Sequence, residues 1–107
     1  MMPEYLDAIN TVRDAHGLAS LGWSDECEAL SLMNAKIVAK KKNKLWHPGN
    51  VKRAEIAARN QANIDEACVS WLNSPSHRKI LLGEWLSVGV AMVVAVDGQP
   101  VWFAQFE

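Results

Sequence analysis

An α+β fold, a three-layer sandwich with a short antiparallel sheet between two helical layers, is what three features of the sequence predict. The first is a hairpin at the end of the chain. Residues 87–96 and 101–106 read as strands on either side of Asp97-Gly98-Gln99-Pro100, and Asp-Gly favours tight hairpin turns. The second is that the first of these strands is apolar on both faces. Val88, Val90, Met92, Val94 and Val96 share one face, while Gly89, Ala91, Val93 and Ala95 share the other. Such a strand must be covered on both sides. The third is a series of four upstream segments with helix-start signals, which supply the two covering layers. The face of Gly89 and Ala91 is small, so one helical layer is expected to pack very close to the sheet.

The chain has 107 residues, half of them apolar, enough for one domain over 1–107 with a single core. Eleven basic and twelve acidic side chains leave a formal net charge of −1, so nothing global points to nucleic acid or an acidic membrane. No run of apolar residues is long enough for a transmembrane segment. Met1-Met2-Pro3-Glu4-Tyr5 has neither a basic nor an apolar signal-peptide region; either the chain is used where it is made or a leader has been removed. Cys27 and Cys68 are too few for a disulfide scaffold and are expected as buried free thiols.

Taken in order, Pro3-Glu4 opens a first helix, with Pro where a missing N–H costs nothing and an acid in the first turn. Tyr5, Leu6, Ile9 and Val12 form its apolar stripe. His16-Gly17 closes it, His16 as a cation at the helix C-terminus and Gly17 in the left-handed conformation. Ser24 caps a long second helix with Asp25 and Glu26 in its first turn. Leu30, Met33 and Ile37, joined by Ala29 and Val38, are its expected inward stripe. Lys36, Lys40, Lys41, Lys42 and Lys44 crowd its far end and read as a solvated face suited to the helix dipole. Any binding of an anionic surface through them should vanish with added salt.

Leu45-Trp46-His47-Pro48-Gly49-Asn50 is turn-rich, and its residue before proline, His47, should be extended. Asn63 followed by Glu66 gives a capping-box pattern for a third helix. Ile64, Ala67, Cys68, Trp71 and Leu72 share one face of it, which places Trp71 in the core. Ser74 as N-cap and Pro75 at the first position then start a short fourth helix that Gly83 stops. His77 falls in its first turn, where the dipole should lower the imidazole pKa and keep the ring neutral.

The run Trp71-Leu72-Asn73-Ser74-Pro75-Ser76-His77-Arg78-Lys79-Ile80-Leu81-Leu82 resembles a signature of the CAP superfamily (cysteine-rich secretory proteins, antigen 5, plant pathogenesis-related 1) in its small bacterial form. Gly17, Leu18 and Trp23 match an early part of the pattern. Ala54-Glu55-Ile56-Ala57-Ala58 resembles the family's Gly/Ala-Glu-Asn-Ile-Ala strand, with Ile56 in place of the Asn. His47 aligns with the family's His ahead of that strand, across a loop shorter than usual. Gly89-Val90-Ala91 and Val101-Trp102-Phe103-Ala104-Gln105-Phe106 resemble its closing strands. The resemblance covers almost the whole chain. It implies the α-β-α sandwich, a secreted or extracellular location, and a central cleft with two His and two acids that binds a divalent metal in some members.

Carried over residue by residue, the resemblance implies that His47, Glu55 and His77 converge. Two neutral imidazoles and a carboxylate with an open position suit zinc, although no local spacing brings them together. Ser74 stands where many animal members have the second acid; Glu66 and Glu84 are possible substitutes. Asn73, Ser74 and Arg78 would surround the cleft, Arg78 as the partner of a nearby acid. Three functions are open. One is a monomeric binding or accessory module for a divalent metal, a small or lipidic ligand or a protein partner. The second is a metal-dependent hydrolase with a metal-bound water and Glu55 as general base. The third is a structural domain with an inert cleft, where His77 bonds Glu55 or a backbone carbonyl. No nucleophile favours an enzyme: Ser74 and Ser76 share one short helix with His77, and both thiols lie on apolar faces that raise their pKa. There is no Gly-rich phosphate loop and no basic patch interleaved with aromatics.

Overall fold

The hairpin is present. In a computed structural model that describes residues 2–107, β3 (Ser87–Val94) and β4 (Pro100–Phe106) pair antiparallel, with Ala91 opposite Phe103. Met1, part of the N-terminal stretch considered above, lies outside the described residues. Gly98 turns the corner at φ +83°, and the Asp97 carboxylate accepts from the Gln99 N–H. The strand of Glu55 is β2 (Ala54–Arg59), antiparallel to the other side of β4. The sheet is mixed, not purely antiparallel. A two-residue β1 (Gly22–Trp23) adds parallel to β3, giving the order β1-β3-β4-β2. Two residues carry no alternation, so β1 has no pattern by which a sequence could announce it.

Helices cover both faces. α1 (Pro3–Ala15), α3 (Ile64–Leu72) and α4 (Pro75–Leu81) lie on one side, and α2 (Asp25–Ala39) lies on the other. Strand alternation sorts the core between them. Ile56, Ala58, Val88, Val90, Trp102, Ala104 and Phe106 meet Ile9, Ala67, Cys68, Trp71 and Leu81 in the larger cluster. Ala57, Val101 and Phe103 meet Ala35, Val38 and Ala39 in the smaller one. Trp71, Trp102, Phe103 and Phe106 are fully buried, each contributing about 1.5–3 kcal/mol by removal from water. The Trp71 indole also donates to the Ala57 carbonyl at 3.0 Å, tying α3 to β2.

The face of α2 that meets the sheet is not the expected one. Leu30 and Ile37 are half-buried and Ala29 and Met33 are exposed, whereas Cys27, Ser31, Asn34, Ala35, Val38 and Ala39 are buried. The reason is distance. A Cβ placed on Gly89 would collide with the Glu28 nitrogen and lie 2.5 Å from the Cys27 carbonyl carbon, so helix backbone rests on strand backbone. At that separation only small or flat side chains fit between them, and the bulky ones are turned outward. Close packing on the small face is therefore present, and it reverses the choice of stripe.

The local signals largely hold. Ser24 accepts from the Cys27 N–H and Asn63 from the Glu66 N–H, while Glu66 reaches back to the Ala62 N–H. Pro75 is at the first position of α4. Ser74 has N-cap geometry but its side chain makes no capping bond. His16 is the C-cap of α1, its Nδ1 on the Val12 carbonyl, and Gly17 follows at φ +73°. Arg13 on α1 is buried and donates to the carbonyls of Ala19, Leu81 and Gly83, so it closes the C-terminal end of α4 from another helix. Both cysteines are free and buried.

Candidate functional site

Glu55 is the centre of a buried polar net. Its position in β2 points it to the α2 side, directly opposite Gln105 of β4, which in turn is opposite Gly89 of β3. The absent side chain at Gly89 lets α2 settle low over this row, and Ser31 donates to the Gly89 carbonyl at 2.9 Å. One turn further along α2, Asn34 reaches the carboxylate. Oε1 of Glu55 accepts from Asn34 at 2.5 Å and from Gln105 at 2.9 Å, and Oε2 accepts from His47 Nδ1 at 2.7 Å.

The net also organises the irregular segment that carries His47. Gln105 Nε2 and Asn34 Nδ2 both donate to the Asn50 carbonyl, Asn50 Nδ2 donates to Asn34, and Gln105 Oε1 accepts from the Lys52 N–H. Charge-assisted bonds to a carboxylate are the strong ones, and here three of them converge on one side chain. The Glu55 side chain is 2 % exposed and that of His47 is 52 % exposed. A carboxylate only accepts, so the hydrogen of this bond sits on Nδ1 of His47 and Nε2 is left outside it. Phe103 meets the imidazole edge-on, with ring centroids 6.2 Å apart.

His77 is half-buried on α4 and makes no hydrogen bond among the described residues, neither to Glu55 nor to a backbone carbonyl. Its pKa is lowered, as expected from the sequence, but the causes are different. Burial comes first and the charge of His47 second. The influence of His47 places the two imidazoles within electrostatic reach of one another. The three side chains thus divide into a bonded pair, His47 with Glu55, and His77, which joins neither by a hydrogen bond among the described residues. Among the described residues no group of three or more His, Cys, Asp and Glu gathers as a metal-holding cluster.

The surrounding residues are less engaged than expected. Asn73 is the exposed C-cap of α3, and Ser74 is half-buried at the start of α4. Arg78 has no acid as partner among the described residues; its guanidinium lies 3.4 Å from His16 Nε2. Glu66 is used at the start of α3, and Glu84 lines a different concavity with Arg13 and Trp85, so neither is a substitute second acid in the net. Burial pushes the Cys68 thiol up to about 12, with Asp65 adding to it, and burial also raises Cys27. Neither is a nucleophile at neutral pH. Asn34, Asn50 and Gln105 escaped the sequence reading. The signal available for Gln105 was its place in the closing strand, which pairs it directly with the acid of the neighbouring strand.

A model of the family described as "CAP: Cysteine-rich secretory protein family" matches residues 6–106. The chain belongs to the CAP family. Solved structures agree on the fold. This CAP domain superposes on an outer surface protein from Borrelia burgdorferi with a TM-score of 0.78 at 19% identity, covering 98% of this chain and 90% of that one. An extracellular protein containing an SCP domain from Bacillus anthracis gives 0.74 at 24% identity, covering 98% of this chain and 39% of that one. A cysteine-rich secretory protein from Staphylococcus aureus gives 0.65 at 15% identity, over 97% of this chain and 38% of that one. At these identities the likeness shows the fold alone. Among curated proteins, none matches this sequence.

Proposed function

We propose that this CAP domain is an extracytoplasmic binding or accessory module whose cleft, between His47 and His77, recognises a ligand or partner and performs no chemistry. The observation that carries this reading is the closure of Glu55. A general base needs a free oxygen within reach of a proton to be removed, and both oxygens here are held by protein donors in a side chain almost without exposure. Among the described residues no activated nucleophile stands in its place. The location is supported by the neighbours, described as an outer surface protein and an extracellular one.

The donors do not fit a resident zinc ion. A tight site takes three or four protein ligands, whereas no three His, Cys, Asp or Glu gather among the described residues and Glu55 is taken up by His47. Glu55 has the place of an orienting carboxylate, fixing the tautomer and aim of His47 for whatever enters. Zinc titration followed by calorimetry and thermal melts tests this. Wild type is expected to take up zinc weakly, with the uptake lost in His47→Ala and His77→Ala. Tight stoichiometric zinc, or ester or peptide hydrolysis that disappears in Glu55→Gln, would replace the binding reading with the enzymatic one.

A further inference from the structure

We propose that the end of the molecule where α2 stops and the β3–β4 hairpin turns docks on an anionic lipid bilayer. The net charge of −1 conceals a segregation. α2 starts with Asp25, Glu26 and Glu28 and runs out into Lys36, Lys40, Lys41, Lys42 and Lys44. All five lysines are exposed, and none has a carboxylate partner among the described residues.

The loop that carries Lys41, Lys42 and Lys44 is fastened from inside. The buried Arg59 guanidinium donates to the carbonyls of Lys41 at 2.8 Å and Lys44 at 2.7 Å, and to both Asp97 oxygens at 3.0 Å. Asp97 also accepts from the Asn43 N–H at 2.9 Å, with Asn43 in the left-handed region at φ +52°. The acid of the hairpin turn is thereby consumed, and the ammonium groups are left facing water on a fixed backbone. The Val96 N–H donates to the Ala39 carbonyl at 2.9 Å, which lays the hairpin tip against the end of α2. Leu45, Val94 and Val96, 45%, 58% and 64% exposed, stand at this same end.

Charge alone would suit any polyanion. The apolar tips decide for a bilayer, because ammonium groups can meet headgroup phosphates at the depth where Leu45 and Val96 meet the acyl boundary. A phosphate polymer in water would gain nothing from those side chains. The acids at the opposite end of α2 turn the molecular field in the direction that steers the lysines toward such a surface.

The test is co-sedimentation of the full chain with phosphatidylcholine–phosphatidylglycerol vesicles, against phosphatidylcholine alone, at about 0.1 M salt, where the screening length is about 10 Å. Wild type is expected on the anionic vesicles only, and to be released at about 1 M salt, where that length is about 3 Å. Each lysine near an anionic surface is worth about fivefold, so Lys41→Gln, Lys42→Gln and Lys44→Gln together should weaken binding about a hundredfold. Lys52→Gln should leave it unchanged, since that ammonium pairs with Glu26 at 2.8 Å. Leu45→Ser with Val96→Ser should lower vesicle binding about tenfold without altering binding of inorganic polyphosphate. Thermal melts establish that these exposed-site variants fold. No binding to anionic vesicles at low salt, or equal binding by the triple lysine variant, overturns the proposal. Vesicle binding indifferent to the two serines overturns it as well, and assigns the lysines to a soluble polyanion.

Discussion

Replacing Glu55 by Ala and by Gln should give two very different proteins. The alanine removes the acceptor shared by Asn34 and Gln105 and the one used by His47. Asn34 and Gln105 each still donate to the Asn50 carbonyl, and their oxygens still accept from Asn50 and Lys52, but each amide nitrogen is left with one buried unpaired N–H. An unsatisfied buried donor costs about 1–3 kcal/mol, so the two together predict a loss of about 3 kcal/mol, allowing for partial relaxation. For a domain of this size that is a fall in Tm of roughly 10–15 °C. The glutamine keeps Oε1 for both amides and turns an NH2 toward His47. The imidazole can answer by moving its proton from Nδ1 to Nε2, so the cost should be about 1 kcal/mol, the difference between a charged and a neutral acceptor. Urea titration measures both stabilities, and imidazole 15N shifts report the tautomer of His47. If Glu55→Ala costs no more than Glu55→Gln, or if the His47 tautomer is the same in wild type and Glu55→Gln, then the carboxylate is not the hub described here.

Gly89→Ala should be among the most damaging single-methyl changes in the chain, since the new Cβ meets helix backbone; a loss of about 3 kcal/mol or more is expected in urea. A cost under about 0.5 kcal/mol, typical of a surface site, would mean that α2 does not rest on β3. His77 has a pKa below its ordinary 6.5, so the unfolded chain binds more protons in the range below pH 6.5. Stability should therefore be full above that value and fall as pH drops toward the folded pKa, and His77→Gln should flatten this part of the profile; an unchanged slope would rule the group out. Native protein at pH 8 should resist thiol-reactive reagents at both Cys27 and Cys68, with labelling appearing only along the unfolding transition; labelling that precedes it would contradict their burial.

The sandwich was legible because its strongest signals are local and redundant: the Asp97-Gly98 turn, the capping pairs at Ser24 and Asn63, and a strand without a polar face. What failed was the choice of stripe on α2. Hydrophobicity favours Leu30 and Met33 as core residues, but the core there is set by a steric limit, and that limit resides on another element, at Gly89. The candidate site shows the same division. His47, Glu55 and His77 were named by motif, while Asn34, Asn50 and Gln105, which hold Glu55 and the segment of His47, were not. Asn34 is a polar residue on a buried helix face, and no periodicity distinguishes it from an error in the stripe. It is stable there because a carboxylate from a distant strand, a pairing that spans 21 residues of chain, and the backbone and side chain of Asn50 meet it. Arg78 was assigned an acid on charge alone, and it lies beside His16 because helix packing, not charge, chose its neighbour.

The order β1-β3-β4-β2 has a consequence for how the chain comes into being. The strand made after all the others is an inner one, flanked on both edges by strands that precede it. Emerging from a ribosome, β2 has no mate until Pro100–Phe106 has been translated, and Glu55 has no Gln105. The helices can form earlier, but the sheet they are to clothe cannot be completed from the front. Biogenesis should therefore be a late, all-at-once event, and arrest of translation before β4 should yield a protease-sensitive chain, whatever the helical content already gained.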